Sequence, residues 1–170
     1  MTDIPLPQSF SLKPPPPPSE KEAKLYYAGL PSKPLLVART GAPWKEPTGP
    51  EAYYQLKELH GLGTDGDHPI KQIWEAGLAS KVQGLLNSTK VKWTSLDIVS
   101  FENREDFPRP PPTLWIGVLP ASLSGTDGIV VAYKCRDLLF EYGITDVNVE
   151  IRESVFTWLL QDWSKPKSTV

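Results

Sequence analysis

The stretch PASLSGTDG, from Pro120 to Gly128, has the residue types best suited to chemistry in this 170-residue chain. It lies between a predicted strand and a predicted helix, where hydroxyl groups and backbone amides gather. Free amides at the positive end of a helix attract anions. We therefore predict a ligand-binding loop from Ala121 to Gly128. Its candidate ligand-binding residues are Ser122, Ser124, Gly125, Thr126 and Gly128.

The same loop lacks the features of known nucleotide-binding and hydrolase motifs. It has no P-loop lysine, and its glycines do not have the spacing of a dinucleotide fingerprint. Ser124 also lacks the G-x-S-x-G frame of a nucleophile elbow. Ordinary capping of the helix start by Ser and Thr accounts for the same composition. We therefore assign no catalytic residue.

A second cluster, HGLGTDGDH, contains both histidines of the chain, with Asp65 and Asp67 between them. Nitrogen and carboxylate groups of this kind could bind one metal ion. The alternative is an Asp-Gly turn at Asp65 and Gly66, with Asp67 capping the next helix and His60 and His68 at the surface. We assign no metal ligand and no cofactor, because the turn explains the pattern more simply.

Two further groups of residues are given structural interpretations. Cys135, the only cysteine, falls on the apolar stripe of a predicted helix and is expected to be a small buried hydrophobe. Glu150, Arg152 and Glu153 lie on or just after the last predicted strand and are expected to form a solvated face. Neither group is predicted to do chemistry.

The elements that position the loop have clear patterns. Leu114 to Leu119 is an apolar run closed by Pro120, typical of a central strand buried on both faces. Ile129 to Tyr142 has a helical apolar stripe, and Gly143 supplies a left-handed residue at its end. Val147 to Ile151 then alternates as a strand. The loop therefore joins a central strand to a long helix.

The preceding residues supply three further elements. Pro34 to Arg39 is predicted to be a strand, and the residues from about Asp67 to Asn87 a helix. Val91 to Phe101 is predicted to be a strand with a bulge near Ser95, where the apolar parity changes. Weaker helical patterns cover Glu20 to Leu30, Tyr54 to Leu59 and the segment VFTWLLQDW after Ser154.

The resulting order βαββαβ predicts an α+β fold with one split-βαβ, ferredoxin-like sheet and helices on one face. We expect a single domain over residues 24–163, a disordered proline-rich tail over 1–23 and a polar tail over 164–170. The predicted core is Leu36, Ile73, Trp74, Leu78, Trp93, Ile98, Leu114, Ile116, Val118, Val131, Cys135, Leu138, Val147, Val149 and Ile151.

The run Pro14 to Pro18 is the most distinctive part of the N-terminal tail. Consecutive prolines adopt an extended polyproline II helix that cannot enter a sheet or an α-helix. One interpretation is a mobile tail, with Met1 to Ser19 making no packed contacts. The other is a ligand for an aromatic groove of the SH3, WW or profilin kind, which makes an unknown protein the expected partner.

Charge and composition narrow the function classes. The net charge of −2 indicates neither nucleic-acid nor membrane binding, and the N-terminus has no signal-peptide pattern, so a soluble cytoplasmic protein is expected. We predict a non-enzymatic protein-interaction or regulatory module. The alternative is a small-ligand or anion-binding protein, or a hydrolase, that uses the Ala121 to Gly128 loop.

The motifs YYAGLPSKPLLVART, PWKEPTGPEAY, KELHGLG, HPIKQIWE, VKWTSLDIV, LWIGVLPASLSGTDG and ITDVNVEIRES span about Leu25 to Ser154. Together they resemble an uncharacterised protein family of mushroom-forming basidiomycete fungi. The longer members continue into a region similar to a trypsin-like peptidase. A further alternative function is therefore a remnant N-terminal domain of such a trypsin-like fungal protein, and the resemblance assigns no catalytic residue here.

Overall fold

The computed structural model describes residues 15–49, 57–61, 68–102 and 110–154. In these ranges it shows a single α+β domain with one mixed sheet. The elements in chain order are α1 (Glu20–Leu25), β1 (Leu36–Arg39), β2 (Glu58–Gly61), α2 (Ile70–Ile73), a π-helical turn (Trp74–Leu78), α3 (Ala79–Ser88), β3 (Trp93–Glu102), β4 (Thr113–Val118), α4 (Gly125–Glu141) and β5 (Asn148–Glu153).

The five strands lie in the order β1-β5-β4-β3-β2. β4 and β5 are parallel and are joined by α4, whereas every other neighbouring pair is antiparallel. The crossover through a helix is the connection that a parallel pair requires. β4 is therefore central, and all six of its residues are buried, which confirms the predicted central strand.

The strand order does not confirm the predicted ferredoxin-like arrangement. A split βαβ unit would place another strand between the two strands joined by α4. Instead β4 pairs directly with β5, from Thr113 beside Asn148 to Val118 beside Glu153. β1 has only four residues and pairs antiparallel with the outer side of β5. Alternation along the chain specifies which residues face the core, but it does not specify which strands are neighbours.

Local signals explain the ends and bends of the main elements. The Ser124 side chain caps α4 by accepting from the Asp127 amide, and Gly143 follows the helix with a φ of +76°. The register of β3 against β4 shifts between Trp93 and Ser95, which confirms the predicted bulge. The helix predicted after residue 67 is kinked, because Gly77 has a φ of +150° within the π-helical turn.

The two faces of the sheet are covered differently. Leu114, Ile116 and Val118 of β4 join the main core, where α4 packs against β1 and β5 and contacts α3. Trp115 points to the opposite face and packs with Tyr27, which follows α1. The segment after α1 therefore covers the second face of the sheet.

Most of the predicted core residues are buried. Five others are partly buried and pack against or beside the same core, namely Ile73, Trp74, Trp93, Ile98 and Leu138. The predicted helix from Tyr54 to Leu59 is wrong where it can be compared, because Glu58 and Leu59 lie in β2. Residues 1–14, the predicted helix after Ser154 and the predicted polar tail over 164–170 lie outside the described residues.

The predicted boundary between tail and domain, at residue 24, falls inside α1. The Ser19 side chain caps this short helix by accepting from the Glu22 amide at 3.1 Å. Glu22 is buried and its carboxylate pairs with Arg39 of β1. The packed structure therefore extends N-terminal to the predicted start of the domain.

Candidate functional site

The predicted ligand-binding loop is held by its own hydrogen bonds. Ser122 donates to the Leu119 carbonyl from both its amide, at 3.2 Å, and its hydroxyl, at 2.5 Å. Ser124 accepts from the Asp127 amide at 3.1 Å through its side chain and from the Gly128 amide at 2.8 Å through its carbonyl. Both predicted serine ligands thus have partners within the loop and α4.

The carboxylate of Glu153 accepts a hydrogen bond from the backbone amide of Ala121 in this loop. Ala121 has a φ of +57°, and its amide donates to Glu153 Oε1 at 2.9 Å. A carboxylate in this position is what a helix start and its neighbouring amides favour. The chain therefore supplies an anion of its own to the loop, and Asp127 adds a second negative group in the first turn of α4.

The two loop glycines permit close packing. A Cβ atom at Gly125 would lie 2.8 Å from Pro17 Cβ, and one at Gly128 would lie 2.8 Å from Val37 Cγ1. Such distances are shorter than real side-chain contacts, so both positions require glycine for the observed packing. Thr126 remains exposed. Four of the five candidate residues therefore make contacts within the protein that account for their residue types without a ligand.

We expect the loop to bind phosphate or ATP no more tightly than about 1 mM. A helix start contributes roughly 0.3 to 1 kcal/mol for an anion at an exposed site, whereas 1 mM affinity needs about 4 kcal/mol. The basic residues that could complete the site from elsewhere, Arg39 and Arg152, are engaged with Glu22 and with Trp115. Calorimetric and NMR titrations check this, with Glu153→Gln as the matched variant. Sub-millimolar binding confined to Ser122 to Gly128 would instead support a small-ligand function.

The two histidines do not come together. His68 Nδ1 accepts from the Ile70 amide at 3.1 Å, and Nε2 lies 2.9 Å from both carboxylate oxygens of Asp146. The network therefore assigns the proton of neutral His68 to Nε2. His60 lies in β2, with Nε2 at 3.5 Å from Glu58 Oε2. His68 serves as a cap for α2, while Asp65 and Asp67 lie outside the described residues.

Possible metal and thiol chemistry has little support in the described ranges. No group of three or more His, Cys, Asp or Glu side chains converges there in a way that could hold a metal ion. Cys135 is fully buried in α4, and burial raises the pKa of its thiol to about 12. The thiolate, which is the reactive form of cysteine, is therefore disfavoured.

A cleft of about 260 Å³ lies where the proline run meets the domain. Its walls include Pro15 to Pro18, the aromatic residues Trp44 and Tyr133, and the ion pair of Glu22 and Arg39. Arg39 Nε donates to Glu22 Oε1, and its Nη1 donates to the Ala42 carbonyl. The described part of the proline run therefore contacts the domain. The mobile-tail interpretation required this part to make no packed contacts.

The second face of the sheet contains a buried carboxylate with two tyrosine donors. Glu150 is 6% exposed, and it accepts from Tyr27 at 2.7 Å and from Tyr26 at 2.9 Å. Trp115 Nε1 in turn donates to the Tyr27 hydroxyl at 3.0 Å. Burial, followed by the nearby Glu150 charge, raises the pKa of both tyrosines. Both hydroxyls therefore stay protonated and act as donors.

Three cations lie over the aromatic rings of this face. Lys57 Nζ lies 3.1 Å from the centroid of the Tyr26 ring, and Arg39 Cζ lies 5.8 Å from the same centroid. Arg152 Cζ lies 3.2 Å from the centroid of the Trp115 ring, and its Nη2 donates to Ser95 Oγ at 3.3 Å. Burial lowers the pKa of Arg152 to about 10 and that of Lys57 to about 8. The face combines aromatic rings with desolvated charges.

This cluster contradicts the expected solvated face of the last strand. Glu150 and Arg152 are both buried, although they alternate with apolar residues as exposed side chains would. Their cover comes from Tyr26 and Tyr27, more than a hundred residues earlier in the chain. The sequence did contain one signal for this buried cluster, namely the adjacent Tyr26 and Tyr27 together with Trp115, which alternates away from the main core. Large aromatic residues on a sheet face are seldom left in water.

Comparison of the chain with protein-family models, with curated proteins and with solved structures found no significant match. The resemblance to a basidiomycete family therefore stays a prediction. In the described part of the chain, no helix has the length and apolar character needed to cross a membrane.

Proposed function

We propose that this protein is a non-enzymatic interaction module that presents its proline run to an aromatic groove of a partner protein. The observation that carries the proposal is the placement of Pro15, Pro16 and Pro17, which are exposed although Pro17 lies against Gly125 of α4. A folded domain that holds an extended proline segment at its surface reduces the entropy lost on binding.

The polar groups of the Ala121 to Gly128 loop support the same proposal. The Ser122 and Ser124 side chains and the amides of Ala121 and Asp127 are already engaged with Leu119, with the start of α4 and with Glu153, so these groups are not free to bind a substrate. We further place the protein in the cytoplasm, since its single cysteine is a buried thiol and cannot form an internal disulfide. The engaged groups of the loop agree with an interaction module better than with a hydrolase that acts through this loop.

Replacing Pro15, Pro16 and Pro17 together by Ala should reduce binding to the partner groove by about tenfold or more. Alanine lacks the fixed φ of proline, and a loss of only about 1.4 kcal/mol corresponds to a factor of ten. Full-length wild-type and variant chains are titrated with recombinant WW, SH3 and profilin domains, and both are used as bait in the cell that makes the protein. Pro31→Ala, at another exposed proline, is the matched control.

Gly125→Ala should increase the same binding by roughly 2- to 5-fold, an effect of less than 1 kcal/mol. Its Cβ would lie 2.8 Å from Pro17 Cβ, so the proline run must move away from α4. Alanine is also a better helix former than glycine, so the helix itself should not be weakened.

If the triple proline variant binds every domain and captures every protein as the wild type does, the proline run is not the docking segment.

A further inference from the structure

Three aromatic rings surround one cation on the second face of the sheet. Lys57 Nζ lies 3.1 Å from the ring centroid of Tyr26, 5.6 Å from that of Tyr27 and 5.7 Å from that of Phe101. A cation within about 6 Å of a ring centroid is attracted by the electron-rich face of the ring. Tyr26, Tyr27 and Phe101 therefore form an aromatic cage around an ammonium group.

The rings of this cage are fixed before any ligand enters. Tyr26 and Tyr27 meet edge to face, with centroids 4.9 Å apart at 89°, and Tyr27 and Phe101 are 5.7 Å apart. Trp115 packs edge to face against Phe101 at 5.3 Å. Tyr27 is fully buried and Phe101 is 9% exposed. A preorganised site of this kind binds without the entropy loss of ordering its walls.

The charges around the cage favour a cation. Glu150 accepts from both tyrosine hydroxyls, and its negative charge raises the pKa of Lys57. Arg39 opposes a cation, but its Nε is paired with Glu22. Burial outweighs these effects and lowers the pKa of Lys57 to about 8. Keeping the Lys57 ammonium charged in the cage therefore carries a desolvation penalty. A ligand ammonium would meet the same rings and the same carboxylate.

We infer that the cage of Tyr26, Tyr27 and Phe101 is a binding site for an alkylammonium group from outside the chain, which displaces Lys57 as the resident occupant. Lys57 immediately precedes β2, an edge strand in the described sheet whose four residues are all exposed. Its side chain can therefore leave without unpacking the main core. The inference does not depend on the proposed role of the proline run.

The shape of the occupant indicates the ligand class. Lys57 places an ammonium in the cage at the end of an unbranched alkyl chain, so a lysine or methyllysine side chain of a partner protein has the matching chemistry. A free alkylamine shares that chemistry. Peptides that contain lysine, monomethyllysine or trimethyllysine therefore form one arm of the test, and n-butylammonium and tetramethylammonium form the other.

The first experiment empties the cage with Lys57→Ala in the full chain. Adding n-butylammonium, which is the lost side-chain fragment, should raise the melting temperature by about 3 to 5 °C at roughly ten times its Kd. The neutral isostere n-butanol should raise it much less. Lys81→Ala, at an exposed lysine of α3, should respond to neither. Equal stabilisation by amine and alcohol would show an apolar cavity only and would overturn the inference.

The second experiment asks whether an outside ammonium displaces Lys57 from the wild type. Saturable shifts of the Phe101 and Trp115 ring signals are expected with the amines and with at least one lysine peptide. Lys57→Met should abolish these shifts, because its uncharged stem stays in the cage while the fold is kept. If n-butylammonium stabilises Lys57→Ala but causes no saturable shift in the wild type, Lys57 is a permanent structural part of the cage that no outside ammonium displaces. That result also overturns the inference.

Tighter binding of a peptide than of the free amines would identify a partner protein as the source of the ammonium. Equal affinities would identify a small amine. Phe101→Leu keeps an apolar side chain in β3 but removes one wall of the cage. It should weaken every ammonium ligand by about tenfold, equivalent to roughly 1.4 kcal/mol, and unchanged affinity in this variant would contradict the assignment of Phe101.

Discussion

Ile116→Ala should lower the free energy of unfolding by about 2 to 5 kcal/mol, the usual range for truncating a large buried side chain. Ile116 has no exposed surface, and it lies in the middle of β4 between Leu96 of β3 and Ile151 of β5. Its side chain joins the core beneath α4, where neighbours on both strands hinder collapse of the cavity. Denaturant unfolding monitored by tryptophan fluorescence measures the loss.

Val130→Ala is the matched control for this substitution. Val130 is 41% exposed on α4, so its truncation removes little buried surface and should change stability by less than about 0.5 kcal/mol. A loss for Ile116→Ala as small as that of the control would mean that β4 is not central, and the sheet order would have to be reconsidered.

Glu150→Ala should cost about 3 to 5 kcal/mol, the range for removing one partner of a buried charge network. The substitution leaves the hydroxyls of Tyr26 and Tyr27 without their acceptor. It also removes the negative charge that offsets the desolvated ammonium of Lys57. Thermal and denaturant unfolding at neutral pH measure the effect, and the near-ultraviolet circular dichroism of the tyrosines should change with it.

Two variants separate the contributions to this loss. Glu150→Gln keeps one amide oxygen as an acceptor, so it should cost less than Glu150→Ala while still weakening the network. Glu141→Ala, at an exposed position near the end of α4, should be close to neutral. If Glu150→Ala and Glu141→Ala had equal effects, the buried carboxylate would not be a structural centre of the second face.

Elements with strong local signals could be predicted from the sequence. β4 has an unbroken apolar run closed by Pro120, and α4 has both a serine cap and a terminal glycine. The bulge beside Ser95 follows from a change in apolar parity that only an extra residue can produce. In each case, the physical cause acts over fewer than about twenty residues.

The neighbours of β1 and the role of β2 could not be predicted in this way. β1 pairs with β5 across more than a hundred residues, and nothing in Leu36 to Arg39 distinguishes an edge position from an inner one. β2 consists of the residues Glu58, Leu59, His60 and Gly61, which lack strand alternation and have no buried side chain. Its pairing with β3 depends on tertiary contacts that override local propensity.

The burial of Glu150 and Arg152 on the second face of the sheet could not be predicted from the sequence for the same reason. Glu150 and Arg152 alternate with Val149 and Ile151, the pattern that normally indicates one wet face. The aromatic cover lies at the other end of the chain, beyond the reach of any periodicity. In contrast, the Ser124 cap could be predicted because the amide that it accepts from, that of Asp127, is three residues away. The contacts of Glu153 with the Ala121 amide and of Pro17 with Gly125 join segments that are distant in sequence.

The bond from Tyr27 to Glu150 also sets an order of events during protein synthesis. The two residues are separated by 123 positions, so the tyrosine waits for its acceptor until nearly all of the described chain has been translated. At about 5 to 20 residues per second, this interval lasts roughly 6 to 25 s. During that time, the hydroxyls of Tyr26 and Tyr27 lack their carboxylate acceptor, and a nascent chain paused before residue 150 should expose these residues to chaperones.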